Sequence, residues 1–150
     1  MVWESKGIVY QSGAWNNGTG PTATDNALIN DDYTISQDLE CNDLTIASGK
    51  TVTVAPGVSV TLNNDCNNDG TLVLQSNSTA YSSVLVTGTV SGTGTVTYNR
   101  YVNEIGTTNT SNGGNDLVAP PVSGQTFGSF AAANTNLAAS GTLRAFAPFN

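Results

Sequence analysis

The chain has 150 residues, room for one domain or for one domain and the start of another. Its net charge is −7, and its only cations are Lys6, Lys50, Arg100 and Arg144, so no basic surface exists to neutralise a nucleic-acid backbone or an anionic membrane. It contains no histidine, which excludes Ser–His–Asp and Cys–His catalysis and imidazole metal sites, and no apolar run of about 18 residues that would span a bilayer. Hydrophobic residues make up 38% and charged residues 10%, against roughly 45–50% and 25% in an ordinary globular domain. Thr, Ser, Asn and Gly fill the difference, a mixture that favours strands and turns over helices.

Residues 1–26 are rich in Gly, Asn and Pro and predict an irregular N-terminal cap. Trp3, Ile8, Tyr10 and Trp15 are the apolar groups that would cover the end of a core. Exposed rings at Trp3 and Trp15 could instead stack on sugar faces. Asp31, Asp32, Asp38, Glu40 and Asp43 follow before the strands. Adjacent Asp31 and Asp32 resemble a solvated turn more than a pair of opposed catalytic carboxylates, so a non-enzymatic protein is expected.

Residues 27–102 then read as short strands. DLTIAS, KTVTVA, GVSVTLN, GTLVLQS, SSVLVTG and GTVTYNRYV each alternate apolar with polar residues and are bounded by Gly, Pro or Asn. The inward set is Leu44 and Ile46, Val52 and Val54, Val58, Val60 and Leu62, Leu72 and Leu74, Val84 and Val86, Val96 and Tyr98. The spacing leaves no room for helices, so the fold class is all-β. A weak internal repeat links CNDLTI at Cys41 with CNNDGTLVL at Cys66, and Leu72 recurs as Val96 at nearly the same interval. A repeat of roughly 20 to 30 residues predicts a right-handed parallel β-solenoid, in which each coil buries its apolar face by stacking on the next. A β-sandwich is the alternative.

The segment NNDCNNDG at 63–70 places Asp65, Asn67 and Asp69 at the alternate positions of an acidic calcium loop, followed by Gly70. The twelfth loop position, which needs a bidentate carboxylate, is Ser76. The expectation is a corner of the solenoid in which Gly70 takes a positive φ, with calcium as the lesser reading and no other cofactor. Cys41 and Cys66, read as one coil apart, would be close enough for a disulfide or would pack as two buried thiols. Threonine runs at 51–53 and 93–97 resemble the flat arrays of ice-binding solenoids, but they are read as not recurring in register, so an ice-binding face is not expected.

Past Tyr98, residues 103–117 are polar and rich in Gly and Asn and predict a linker, with Arg100 paired to Glu104 or another acid. Residues 118–150 predict the start of a further β-rich module or a C-terminal cap, with one helical turn at FGSFAAAN. The chain ends on the apolar LRAFAPFN, the expectation being a piece of a longer exported protein.

Taken in order, GAWNNGTGPTATDNALINDDYTI, CNDLTIASGKTVTVAPGVSVTLNNDCNNDGTLVLQS, SSVLVTGTVSGTGTVTYNRYV and NDLVAPPVSGQTFGSF resemble a segment of large secreted and surface proteins of flavobacteria and related Bacteroidetes. The resemblance implies a β-helical module, export by the type IX route, an extracellular or cell-surface location and an adhesin-like setting. It implies no catalytic residues. The expected function is a structural or adhesive stalk that meets a polysaccharide or another surface protein, with end-to-end self-association as a further expectation. The alternative is a carbohydrate-binding module using Trp3, Trp15 or Tyr81 with calcium assistance. A β-helical polysaccharide lyase stands third.

Overall fold

The computed structural model describes residues 7–101, 126–134, 139–140 and 143–144. The chain divides into two compact units, Met1–Asn115 and Asp116–Asn150. Trp3 and the expected linker at 103–117 lie outside the described residues.

The first unit is a parallel β-solenoid of about four coils. Its strands are β1 (Ile8–Gln11), β2 (Ala14–Trp15), β3 (Ala27–Ile29), β4 (Tyr33–Ile35), β5 (Leu39–Cys41), β6 (Leu44–Ile46), β7 (Thr51–Val54), β8 (Ser59–Leu62), β9 (Cys66–Asn68), β10 (Thr71–Gln75), β11 (Ser83–Val86), β12 (Val90–Ser91) and β13 (Thr95–Asn99). They form three sheets, ordered β12-β9-β6-β3-β1-β2 (sheet A), β13-β10-β7-β4 (sheet B) and β11-β8-β5 (sheet C). β1, β2 and β3 all lie in sheet A, and from β3 onward successive strands pass from sheet to sheet in turn. The strand pairings of these three sheets are parallel except β1 with β2, which folds back along the edge of sheet A. Residues 8–11, within the expected N-terminal cap, form a regular strand that pairs in parallel with β3.

Strand alternation decides what goes inside. Ile29, Ile35, Leu44, Ile46, Val52, Val54, Val60 and Leu62 are at most 1% exposed, and Leu74, Val84 and Val86 pack against that core. Like residues stack on like from coil to coil: Leu72 on Val52 and Val96 on Leu72, Ile46 on Ile29. The inward series ends at an open coil, where Val90 and Val96 are 61% and 53% exposed.

The coils are unequal. Along sheet A, Ile8 lies opposite Ala27, Ala27 opposite Leu44, Leu44 opposite Cys66 and Cys66 opposite Val90, so the second coil is shorter than the first and each later coil is longer than the one before it. This corrects the repeat read from the two cysteines: Cys41 lies in sheet C opposite Leu62, whereas Cys66 lies in sheet A opposite Leu44. The two cysteines are not stacked on each other, because the similar local strings around them occupy different sheets.

Corners are closed by polar side chains reaching to the next coil. Asp32 Oδ1 accepts from the Thr51 amide at 2.8 Å, Asp38 Oδ1 from the Ser59 amide at 2.8 Å, and Asp43 Oδ1 from the Asn64 side chain at 2.8 Å and the Asp65 amide at 3.0 Å. Buried Asn68 carries the A-to-B corner of its coil: its Oδ1 accepts from the Gly70 amide at 3.1 Å and its Nδ2 donates to the Thr95 carbonyl at 3.0 Å. Gly70 does not take the expected positive φ. It is glycine because a Cβ there would collide with the Lys50 carbonyl oxygen of the coil below. Ser82 is 3% exposed, and its hydroxyl has no hydrogen-bond partner among the described residues.

In the second unit, α1 (Phe127–Ala133) matches the helical turn expected at FGSFAAAN. Thr126 caps it by accepting from the Ser129 amide at 3.2 Å. A two-stranded antiparallel pair, β14 (Ala139–Ser140) with β15 (Leu143–Arg144), follows.

Two substitutions test this accounting in opposite directions. Asn68→Ala strands a buried amide and carbonyl and should lower the free energy of unfolding by about 2 kcal/mol, whereas Ser82→Ala removes an unpaired buried hydroxyl and should leave stability unchanged or raise it by up to about 1 kcal/mol. Urea unfolding followed by circular dichroism measures both.

Candidate functional site

The N-terminal end of the solenoid carries the aromatic cluster. Trp15 is brought over the core by the β1–β2 reversal, in which Tyr10 lies opposite Trp15. Tyr33 begins β4 and faces inward, in register with Val52. The rings of Tyr10 and Tyr33 lie 4.1 Å apart between centroids, and Trp15 meets both near edge-on, at 5.3 Å and 5.4 Å. The indole Nε1 donates to the Tyr33 hydroxyl at 3.3 Å. All three rings pack against the core, so Tyr10 and Trp15 form the cap that their positions suggested. Tyr33 completes it; its inward register with Ile35 in INDDYTI was the available signal.

Beside this cap is a cleft of about 160 Å³ lined by Trp15, Tyr33, Gln37, Asp38, Glu40 and the Thr19–Pro21 turn. Gly20, at φ +94°, lies against the indole, where a Cβ would approach Nε1 to 3.2 Å. Asp38 and Glu40 each have one oxygen committed, to the Ser59 amide and to the Asn63 side chain. The cleft is thus lined mainly by polar groups, a lining suited to hydroxyl-rich ligands.

Asp65, Asn67 and Asp69 lie on and beside β9, with their oxygens turned to the next coil. Asp65 Oδ1 accepts from the Thr89 amide at 2.8 Å, Asn67 Oδ1 from the Ser91 hydroxyl at 3.2 Å, and Asp69 Oδ1 from the Thr93 amide at 3.0 Å. The Asn67 amide also donates to Asp69 Oδ2 at 3.2 Å. The bonds to Thr89, Ser91 and Thr93 make three rungs of constant offset, each joining a residue to the one a full coil later. The bond from the Thr93 amide, aided by Asn67, holds the Asp69 carboxyl below its usual range. Among the described residues, no three His, Cys, Asp or Glu side chains are grouped to hold a metal.

The remaining candidates are separate from the cap. Tyr81 is 60% exposed on the loop joining β10 to β11, and the Arg100 guanidinium sits 4.6 Å from its ring centroid. Arg100, expected beside an acid, thus stacks on an aromatic face; Glu104 lies outside the described residues. Lys50 pairs with Asp31 at 3.7 Å. Cys41 and Cys66 are buried free thiols. Burial, followed by the nearby Cys66 thiol, pushes the Cys41 thiol up to about 12, and burial also raises Cys66. Both are held in the unreactive protonated form.

No helix among the described residues is long and apolar enough to cross a membrane. Comparison with protein-family models, curated proteins and solved structures returns no match.

The thiols and Asp69 each have a solution signature. A thiol-specific chromogenic reagent should label neither cysteine in the native chain and both after denaturation; prompt labelling of the native chain would contradict their burial. Because the folded-state pKa of Asp69 is depressed, its stabilising contribution is present above its ordinary value of 3.8 and is lost as pH falls through the lower folded value. Asp69→Asn, which keeps an acceptor for Thr93, should therefore reduce the loss of stability between pH 5 and pH 2.5, read from urea melts at the two pH values.

Proposed function

We propose that the chain is a non-enzymatic scaffold module of an extracellular or cell-surface protein: a stiff solenoid that spaces or presents neighbouring domains. One observation carries this reading. The side chains that would otherwise make a site are used to hold coil to coil. Asp32, Asp38, Asp43, Asp65 and Asp69 accept backbone amides from the adjacent coil, and Tyr10, Trp15 and Tyr33 close the first coil. A repeat stack in which each coil is bonded to the next deforms as one body, which is what a spacer requires. Low charge, acidity and the absence of histidine agree with a structural role. The resemblance to secreted surface proteins supports the location.

A second reading, carbohydrate binding, is favoured by the cleft beside Trp15 and Tyr33. Its expected mark is glycan-array binding that Gln37→Ala weakens without changing the thermal melt, since Gln37 lines the cleft and is exposed.

Stiffness is measurable directly. Spin labels introduced by Gly13→Cys and Thr93→Cys flank the stack, and the native thiols are buried enough to stay unlabelled. A single narrow distance distribution is expected by pulsed electron resonance. A broad distribution would remove the basis for a spacer.

A further inference from the structure

The outer face of sheet B is organised unlike the rest of the surface. Alternation in β4, β7, β10 and β13 sends Ile35, Val52, Val54 and Leu72 into the core and turns the intervening residues outward. The registers then align those residues into two files. Thr51 lies opposite Thr71, and Thr71 opposite Thr95; Thr34 lies opposite Thr53, Thr53 opposite Val73, and Val73 opposite Thr97. The threonine runs that recur at no fixed interval along the chain are therefore in register in space. They were out of step in the sequence because the coils differ in length: the step from Thr71 to Thr95 is longer than the step from Thr51 to Thr71.

Neighbouring strands stand about 4.8 Å apart, and residues two apart on a strand are separated by about 6.7 Å. Six threonines and one valine thus occupy a two-dimensional grid of hydroxyl and methyl groups. β-Branching stiffens each side chain at χ1. Adjacent hydroxyls approach along the file, with Thr95 Oγ1 3.5 Å from Thr71 Oγ1. None of the four strands contains a charged residue; Asp32, which precedes β4 beside Thr51 at the edge of the grid, is occupied in accepting the Thr51 amide at 2.8 Å. The other two faces have no such order: sheet C sets Glu40, Thr61 and Leu85 in one file, and sheet A sets Leu28, Thr45, Asn67 and Ser91.

We infer that the outer face of sheet B binds the surface of ice. A flat, neutral grid has neither the concavity nor the charge to select a small solute. Its complement is a ligand that is itself a flat, neutral lattice of hydrogen-bonding oxygens with a repeat of similar size, and crystalline water is such a lattice. Each threonine hydroxyl can join that lattice, while each methyl favours an ordered cage of water around it. The single contacts are weak, but the grid is rigid before binding, so little conformational entropy is lost when many form together. Crystalline polysaccharide is also flat and hydroxylated, yet it is gripped by aromatic rings stacked on sugar faces. The aromatic residues of sheet B, Tyr33 and Tyr98, lie on the inward side of their strands, in register with Val52 and Leu74. The inference goes beyond the scaffold reading and stands on a different face from the cleft.

The test is partitioning of the full chain into slowly growing ice from a seeded solution. The unmodified chain is expected to concentrate in the ice fraction. Thr71→Tyr and Thr53→Tyr, each placing a bulky ring in the middle of a file, should abolish that enrichment, while Thr61→Tyr on sheet C should leave it intact; circular dichroism checks that each variant is folded. Exclusion of the unmodified chain from ice would overturn the inference, as would undiminished enrichment of both folded sheet B variants. Binding to microcrystalline cellulose that depends on Thr71, with no enrichment in ice, would also overturn it by assigning the face to polysaccharide.

Discussion

Everything in this molecule depends on parallel strands holding register across coils of unequal length. A strand edge has unsatisfied amides and carbonyls at a fixed spacing, and the next coil must meet them at that spacing whatever its length. From β3 onward the coils lengthen, from the short step between Ala27 and Leu44 to the long one between Cys66 and Val90, yet apolar residues continue to stack on apolar ones across all three sheets. Variation is absorbed at the corners and loops. There Asn and Asp side chains supply acceptors that the backbone of a longer or shorter turn would leave unpaired, and glycines admit close approach. Gly70 against the Lys50 carbonyl and Gly92, at φ +100° against the Asn68 backbone, are two of the tightest examples.

That arrangement explains why a chain so poor in charge and so rich in Asn and Asp presents little obvious chemistry. Asp65 and Asp69, which suggested a calcium loop, and Asp32 of the considered catalytic pair sit at corners and accept amides from the neighbouring coil, while Asp31 pairs with Lys50. Trp15, one of the aromatics that suggested a sugar platform, closes the N-terminal end of the core with Tyr10 and Tyr33, although the cleft beside it retains a polar wall. The same register that consumes the corners generates surface order. When β-branched polar residues occupy the outward positions of one sheet, stacking converts them from a one-dimensional run into a grid.

The fold was largely legible because strand alternation is a local signal. The inward set from Leu44 to Leu72 is buried, joined in the core by Ala27, Ile29, Ile35, Cys41 and Cys66, and the helical turn at 127–134 was visible in its short run of Phe and Ala. What the sequence obscured was phase. Matching Cys41 with Cys66 by local similarity placed two different sheets on one column, and unequal intervals hid the alignment of Thr51, Thr71 and Thr95. The role of Asn68 was hidden for a related reason: in CNNDG it resembles any turn residue, and only the coil above supplies the carbonyl that it meets. Of the candidate site, Trp15 was found for its place at the end of the core. Tyr33 was missed because it lies outside the Trp-containing segment, next to two aspartates that drew attention to a turn.

The inter-coil register underlies both the fold and the threonine grid, and through-space proton contacts in solution report on it. Sequential contacts should link Thr53 with Val73 and Val73 with Thr97 in the amide-to-α pattern of parallel strands, together with Val52 to Leu72 on the inner side. Close α-to-α contacts between these segments, the mark of antiparallel pairing, would contradict the solenoid and with it the threonine grid and the corner ladders.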